Sequence, residues 1–166
     1  IITLIASANV KSTFNRYDKV KSSRGITGAM AARKILDANG LNNIRIERIS
    51  GSLSDHYSPK EGVIRLSDST YDSTSIAALG VAAHECGHAV QHQVGYVPIK
   101  IRNSIVPAVN ICSHLSIPII LIGLFISQPL ALFGVVLYCA VFAFQLITLP
   151  TETNASARAI DTLYNM

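Results

Sequence analysis

Charged side chains are scarce in this sequence. Asp, Glu, Lys and Arg make up 14% of its 166 residues, whereas soluble domains carry about 25%. Hydrophobic residues reach 49%, and disorder requires the opposite balance of low hydrophobicity and high charge. The composition therefore excludes a disordered chain and argues against a purely soluble domain. Because the chain starts at Ile1, we expect it to be a piece of a somewhat longer protein.

Cysteine is also sparse, and a nucleic-acid signature is missing. Cys86, Cys112 and Cys139 are odd in number, and the last two lie in apolar segments. We therefore expect small buried side chains and no disulfide framework. The formal net charge is +4, but the chain has no basic–aromatic interleaving and no zinc-finger pattern. We expect no nucleic-acid partner.

The largest gap in charge covers residues 103–151. These 49 residues contain no Asp, Glu, Lys or Arg. Residues 130–149 form a 20-residue apolar run, which is long enough to cross a hydrocarbon core of about 30 Å. Residues 104–127 are apolar in their second half, and 127–129 form a break. The pattern predicts a transmembrane helical hairpin over 101–150. The alternative is a pair of buried core helices, but so small a domain can hardly cover both on all sides.

The N-terminal residues combine an apolar stretch with a basic cluster. Residues 1–10 are apolar but too short to span a bilayer, so they are interpreted as the end of an N-terminal transmembrane helix. Residues 11–34 carry seven Lys or Arg against a single acid, Asp18. Basic residues beside a span favour the cytoplasmic side and attract anionic lipid head groups. We expect a multi-pass membrane protein whose soluble part faces the cytoplasm.

Residues 11–100 are expected to form a small α+β unit. Helical spacing, imperfect alternation and turn residues mark its elements. They are a helix over 27–38, a strand over 43–50, a loop over 51–62, a strand over 63–67 and a helix over 76–93. Asp72, Ser73 or Ser75 can cap the last helix.

Residues 84–88, on this last helix, read His-Glu-Cys-Gly-His. His84 and His88 are one helical turn apart on the same face, so both imidazoles can bind one zinc ion. Glu85 is offset by about 100° and can accept the proton of a water on the open side of the metal. Gly87 lowers helix stability by roughly 1 kcal/mol relative to Ala. Because glycine has no side chain, we expect that a neighbouring backbone packs against it. The alternative is a polar helix face with two ordinary histidines.

Glu152 is the predicted third ligand. A catalytic zinc keeps three protein ligands and one open position, and Glu152 and Asp161 are the only carboxylates after the motif. A hairpin returns the chain to the side it left, so Glu152, at the start of a helix over 151–166, comes back toward the histidines. An isolated Glu at a membrane boundary also needs a partner. The alternative is a solvated Glu favoured by the helix dipole; Asp161 and His92 are weaker candidates.

Together these features resemble a known family. The chain is similar to the YugP-type bacterial membrane zinc metallopeptidases from about Ser12 onward, in the loop SDHYSP, the strand VIRLS, the helix VAAHECGHAVQH, the hairpin and LPTETNASARA. The resemblance implies a neutral zinc metallopeptidase of the bacterial plasma membrane with Zn²⁺ as cofactor. It also implies an α+β, mainly α fold, in which a small zincin-like catalytic unit carries the His-Glu-x-x-His helix.

More distantly, the chain is similar to the HtpX heat-shock protease and the CAAX prenyl endopeptidase. Those relatives place a transmembrane hairpin between the His-Glu-x-x-His helix and a Glu-x-x-Ala-Asp helix. Glu152 and Ala155 fit the second motif, but Ser156 stands where the relatives have Asp. The Asp is expected to orient a ligand His. Here Ser156 or Asn154 would do so as a neutral hydrogen-bonding group.

Three further residues are candidates for a supporting role near the metal. His56 and Tyr57 lie in the loop between the strands and are candidate oxyanion stabilisers; loop packing or capping is the alternative. Arg158, six residues after Glu152, can approach the site or pair with a carboxylate. The strand over 63–67 is expected to be an edge strand that can bind an extended peptide.

The sequence thus predicts a membrane-bound zinc endopeptidase in which His84, His88 and Glu152 hold Zn²⁺ and Glu85 is the general base. The expected partners are the lipid bilayer and peptide or membrane-protein substrates, with the oligomeric state left open. The alternative is a non-catalytic zinc-binding scaffold or pseudo-protease, which would not need Glu85. A metal transporter is disfavoured because the hairpin carries no carboxylate.

Overall fold

The computed structural model describes the backbone of residues 2–165 and the side chains of residues 4–165. Ile1 and Met166, at the ends of the first and last predicted segments, lie outside this description. The described residues form two compact units. Unit 1 comprises the residues up to Val94 and those from Asn154 on, and unit 2 is Gly95–Thr153.

Unit 1 is mainly helical and has one small sheet. Its elements are α1 (Ile2–Asp18), α2 (Gly28–Ala38), β1 (Arg45–Ile49), β2 (His56–Ser58), β3 (Val63–Ser67), α3 (Asp68–Tyr71), α4 (Ile76–Gln93) and the C-terminal part of α6 (Gln128–Tyr164). The predicted helices and strands before the hairpin are confirmed to within two residues. β2 and α3 are additions, and α1 continues past the apolar stretch into the basic cluster.

The sheet has the strand order β1-β3-β2. β1 pairs with β3 in parallel, with Arg45 opposite Val63, and β2 pairs with β3 in antiparallel fashion, with His56 opposite Arg65. The prediction that β3 is an edge strand is therefore wrong. All its residues except Arg65 are buried, as is usual for a strand that is covered on both faces. β1 and the short β2 form the two edges instead.

The core of unit 1 lies between α2, the sheet and α4. The largest buried side chains come from α2 and β3, whereas α4 contributes small ones. The main members are Ala32, Ile35, Leu36, Ile64, Leu66, Ala82, Cys86 and Ala89, with Ala159 from α6. Burial raises the pKa of the Cys86 thiol, so Cys86 is the small buried side chain that the sequence predicts.

α4 begins and ends where the sequence predicts. The backbone N–H of Ala78 donates to Ser75 Oγ at 3.1 Å, which selects Ser75 among the three candidate caps. The helix ends at Gln93, and Gly95 then has a φ of +68°, which glycine adopts without steric cost. Residues 84–88 consequently lie inside a regular helix.

Unit 2 is a helical hairpin. α5 (Val97–Ile126) and the N-terminal part of α6 meet at Ser127, whose backbone N–H donates to the Gly123 carbonyl at 3.0 Å. The predicted three-residue break is thus a single residue. A Cβ on Gly134 would lie 2.7 Å from Ile120 Cγ1. Small residues allow such close approach in membrane helix pairs.

Both hairpin helices are long and apolar enough to cross a membrane. The most apolar 18-residue windows of α5 and α6 have mean hydropathies of 2.1 and 2.4, and only 11% and 17% of these windows are buried. Buried core helices would be covered on most sides, so the exposure argues against that alternative. Cys112 is half-buried and Cys139 is exposed. The prediction of buried side chains is wrong for these two because they lie on helix faces that unit 2 leaves open.

α6 differs from the prediction at its C-terminal end. The sequence predicts a separate helix over 151–166, whereas α6 runs continuously from Gln128 to Tyr164 with Pro150 inside it. Glu152 therefore lies in a helix interior and not at a helix start, where the dipole would favour a carboxylate. Because the helix is continuous, Glu152 stands one turn before Ser156 on the same face.

Candidate metal centre

The two motif histidines lie side by side on α4. Their ring centroids are 4.7 Å apart, and the ring planes meet at 85°. His88 is buried, and His84 is half-buried. This is the geometry expected for side chains at i and i+4, and it brings two imidazoles within reach of one cation.

A series of hydrogen bonds orients the His88 ring. His88 Nδ1 lies 3.0 Å from Gln91 Oε1. An amide oxygen only accepts, so Nδ1 carries the hydrogen and Nε2 carries the lone pair that a metal requires. Gln91 Nε2 donates to Asn154 Oδ1 at 3.0 Å, and Arg158 Nε donates to the same oxygen at 2.8 Å. The two donors fix the Asn154 amide, and through it the Gln91 amide.

His84 has its own neutral partner. Ser156 Oγ lies 3.2 Å from His84 Nδ1. When Nδ1–H donates to the hydroxyl oxygen, the lone pair of His84 is on Nε2, as it is for His88. Ser156, which the sequence analysis named as a neutral hydrogen-bonding candidate, is thus in contact with His84.

Gly87 allows the C-terminal part of α6 to pack closely on α4. A Cβ at Gly87 would lie 2.7 Å from the Ala155 carbonyl oxygen and 3.2 Å from the Ala155 Cα. Ala155 itself is fully buried. The prediction that a neighbouring backbone packs against Gly87 is confirmed, and this contact lets Asn154 and Ser156 reach their partners.

Glu152 completes a three-residue cluster. His84, His88 and Glu152 each offer one ligand atom, and these atoms lie within 4.8 Å of one another. Arg102 Nη2 also pairs with Glu152 Oε1 at 3.1 Å. Arg102 and Glu152 are the charged residues that flank the uncharged 103–151 segment, so their pairing follows from closure of the hairpin.

Glu85 lies beside the cluster in a partly enclosed position. Its side chain is buried. Glu85 and His84 line the same cavity, which has a volume of about 310 Å³. A general base has to lie within hydrogen-bond distance of the water it deprotonates, and the shared cavity gives Glu85 space for a water beside His84.

The cluster fits a zinc ion by the chemistry of its donors. Two imidazoles and one carboxylate are an established ligand set of catalytic zinc, which leaves one position open. Zinc-bound histidines normally donate their other ring N–H to a nearby acceptor, and both His84 and His88 have such an acceptor. His84, His88 and Glu152 are therefore able to hold a metal ion.

His56 and Tyr57 lie in other surroundings. His56 is exposed, and its Nδ1 contacts the Ser54 carbonyl oxygen at 2.9 Å. Burial raises the pKa of the half-buried Tyr57, whose ring packs edge-on against His92 with centroids 6.1 Å apart. The contacts involve the loop and the C-terminal part of α4. An oxyanion role for either residue stays a prediction.

The weaker ligand candidates lie away from the cluster. His92 is exposed and packs against Tyr57. Asp161 lines a different cavity of about 190 Å³, together with Asn39 and Thr162. Of the predicted supporting residues, the structure brings Asn154, Ser156 and Arg158 to the two histidines, directly or through Gln91.

Sequence reasoning missed two residues of this region. Gln91 is fully buried and follows His88 by three positions on α4, a spacing that places both on one helix face. Arg102 is the last charge before the long uncharged segment. Each position carried a signal, but only the fold shows which partner it meets.

Comparison with known proteins identifies the family. Residues 1–166 match the profile of a family described as "Putative neutral zinc metallopeptidase". The chain belongs to this family. It is also 47% identical over 156 residues to the "Putative membrane protease YugP" of Bacillus subtilis (strain 168). The matched residues cover 93% of this chain and 69% of that protein. No solved structure matches the chain.

These findings confirm the family resemblance and the predicted cofactor. A zinc peptidase family and a His84–His88–Glu152 cluster that could bind a metal both point to Zn²⁺. The relative is named as a membrane protease, and this chain has two helices suited to crossing a membrane. The two observations together support membrane association of the family member described here.

Proposed function

We propose that this protein is a membrane-bound zinc endopeptidase with a zincin-like catalytic unit. In this proposal His84, His88 and Glu152 are the zinc ligands, and Glu85 is the general base. The observation that carries the proposal is the cluster of these three ligand atoms within 4.8 Å. Membership of a zinc metallopeptidase family supports the same reaction class.

The proposed chemistry is hydrolysis of a peptide bond. When bound by these three residues, a zinc ion would supply Lewis acidity toward a carbonyl oxygen and toward a water. Glu85 removes a proton from the attacking water, whose oxygen bonds to the carbonyl carbon. Glu85 then transfers that proton to the nitrogen of the leaving amine as the C–N bond breaks. The products are a carboxylic acid and an amine, so no further reactant is needed.

The neutral partners of the histidines have an orienting role in this proposal. Gln91 and Ser156 keep the hydrogens on Nδ1 of His88 and His84, which leaves Nε2 of each ring as the metal ligand. Arg158 acts through Asn154 and Gln91 rather than on substrate.

The proposed location is a bacterial plasma membrane, with a multi-pass chain and the catalytic unit on the cytoplasmic side. The uncharged hairpin supports membrane insertion, and the basic residues of 11–34 support the cytoplasmic side. Substrates are then peptides or membrane proteins with a cleavage site near the bilayer surface.

The first experiment measures zinc content and casein cleavage in detergent for the parent protein, Glu85→Gln and Glu152→Gln. We expect Glu85→Gln to retain zinc and to lose activity by about 10²–10⁴-fold, because general base catalysis contributes that much. Glu152→Gln is expected to lose both zinc and activity because a neutral amide is a poor zinc ligand. Glu61→Gln, on an exposed loop, is the matched control and is expected to resemble the parent.

Two results would contradict the proposal. Stoichiometric zinc without cleavage of casein or membrane proteins by the parent would favour a non-catalytic zinc-binding scaffold. Full activity of Glu85→Gln would remove the proposed base, even if zinc were bound.

A further inference from the structure

A cavity beside Glu85 has an apolar wall that the hydrolytic chemistry does not use. Its volume of about 310 Å³ lies at the lower end of the roughly 300–1,000 Å³ range of ligand pockets. Apart from the ends formed by the site residues and Asp55, its lining is apolar. It is formed by Val10, Leu53, Gly80 and Val81 together with Asp55, His84 and Glu85.

Gly80 and Val81 connect the cavity directly to the reacting groups. Gly80 is four residues before His84 on α4, and Val81 is four residues before Glu85. Residues with this spacing lie on the same helix face, one turn apart. The wall is therefore aligned with the groups that would polarise and attack a peptide bond.

The absence of a side chain at Gly80 makes room in this cavity. A Cβ built on Gly80 meets no atom within 4 Å. This is the opposite of Gly87 on the same helix, where the Ala155 backbone fills the space. A glycine costs about 0.5–1 kcal/mol in a helix interior, and packing does not require one at position 80. Of the residues that the structure describes, none fills the space next to Gly80.

The opposite wall is formed by a leucine in an unusual conformation. Leu53 has a φ of +56°, which few non-glycine residues adopt. Residues in such sparsely populated backbone conformations cluster at active sites and ligand-binding sites. Its loop is tied at both ends, because Gly51 N–H donates to Asp68 Oδ2 at 3.1 Å and Ser67 N–H donates to Asp55 Oδ1 at 2.8 Å. These bonds hold Leu53 at the cavity.

Asp55, which also lines the cavity, is held by the residue that ends β3. Both of its carboxylate oxygens accept hydrogen bonds from Ser67, at 2.8 Å from the backbone N–H and 2.8 Å from Oγ. These bonds tie the carboxylate to β3, and Val10, Leu53 and Val81 form the apolar part of the lining.

We infer that this cavity receives an apolar side chain of the substrate residue next to the cleaved bond, and that Gly80 determines how large that side chain can be. The inference rests on the proposed endopeptidase function and deepens it by naming the substrate preference. Leu53 is a second residue that determines this specificity, from the loop side.

The test compares the full-length protein with Gly80→Ala, Gly80→Val, Gly80→Leu and Leu53→Ala. Cleavage of a peptide library gives the preferred residue on each side of the cut, and kcat/KM is measured with peptides that carry Ala, Leu or Phe there. A single methylene in an apolar pocket changes discrimination by about 10–200-fold. We expect Gly80→Leu to lower kcat/KM for the Leu and Phe peptides at least about 10-fold relative to Ala, Gly80→Ala to have a smaller effect, and Leu53→Ala to favour Phe.

Controls separate this inference from the proposed function. Gln93→Leu adds an apolar side chain at an exposed position of the same helix and is expected to keep the parent's preference. Binding of the same peptides to zinc-loaded Glu85→Gln and to Glu85→Gln/Gly80→Leu gives a readout that does not need turnover. An equal loss for all peptides, or an unchanged preference in Gly80→Leu, would overturn the inference. If the parent cleaves no peptide, the proposed endopeptidase function fails. Equal binding of the three peptides to Glu85→Gln would also overturn the inference that the cavity selects an apolar side chain.

Discussion

Each motif histidine has a neutral hydrogen-bonding partner on its Nδ1 atom. Gln91 contacts His88 and Ser156 contacts His84, and neither partner adds negative charge next to the imidazole. A carboxylate partner makes a ligand histidine more basic, whereas an amide or hydroxyl mainly fixes its tautomer and orientation. The affinity of this site for zinc therefore depends strongly on how well these neutral partners are held in place.

Gln91→Ala tests this dependence on a single side chain. The substitution removes the acceptor for His88 Nδ1–H and leaves the Asn154 amide without one of its donors. Loss of such an outer partner typically lowers metal affinity about 10–100-fold, and we expect a loss in that range. Competition with a chromophoric zinc chelator in detergent measures it.

Gln93→Ala is the control for Gln91→Ala, because Gln93 is exposed two residues further along α4. Its zinc affinity should equal that of the parent. Far-UV circular dichroism distinguishes loss of zinc from loss of fold in Gln91→Ala. An unchanged zinc affinity in a folded Gln91→Ala protein would show that the His88 ring does not depend on this hydrogen bond.

At the scale of elements, α4 carries two glycines with opposite roles. Gly87 faces the Ala155 backbone of α6, and Gly80 faces open space. Helix propensity alone would favour Ala at both positions by up to about 1 kcal/mol. The two sites therefore separate the effect of propensity from the effect of packing within one helix.

We expect Gly80→Ala to stabilise unit 1 by about 0.5–1 kcal/mol and Gly87→Ala to destabilise it by about 1–3 kcal/mol. At Gly87 the new methyl group would lie 2.7 Å from a backbone oxygen, and the cost of overpacking exceeds the gain in propensity. Thermal unfolding in detergent gives the sign of each change. An increase in thermal midpoint for Gly87→Ala would mean that α6 does not pack on α4 as described.

At the scale of the whole molecule, charged residues are confined to the segments before and after a long apolar segment. The uncharged 103–151 segment forms most of the hairpin, whose helices expose large apolar side chains such as Phe142. In water such a surface would drive aggregation, but a bilayer covers it without cost. Arg102 and Glu152 flank this segment and pair at 3.1 Å, as two charges at a membrane boundary would.

Phe142→Arg tests the membrane assignment. Phe142 is 57% exposed near the middle of the apolar run, where an arginine costs about 2.5–3.5 kcal/mol on insertion scales. We expect a clear fall in the amount of chain that resists alkaline extraction from membranes. Val94→Arg replaces a residue of 59% exposure just after α4, and we expect it to be extracted like the parent. Equal behaviour of the two variants would argue against a bilayer around α6.

Much of this architecture was predictable because its signals are local. The capped helix over 76–93, the motif His84-Glu85-x-x-His88 and the uncharged hairpin are each contained in one stretch of chain, and their spacing follows from helix geometry. The same local reasoning predicted a separate last helix over 151–166, and it was wrong there because α6 continues through Pro150.

The sequence by itself identified the candidate ligand pair, the candidate base and the apolar helical hairpin, since these depend on periodicity and on where charge is absent. Only the tertiary structure decided that β3 is central, that Gln91 meets Asn154 across 63 positions, and that Gly87 is packed while Gly80 opens on a cavity. These features depend on which distant segments come into contact. The chain sequence specifies such contacts only through the packing of the whole core, where many weak interactions act together.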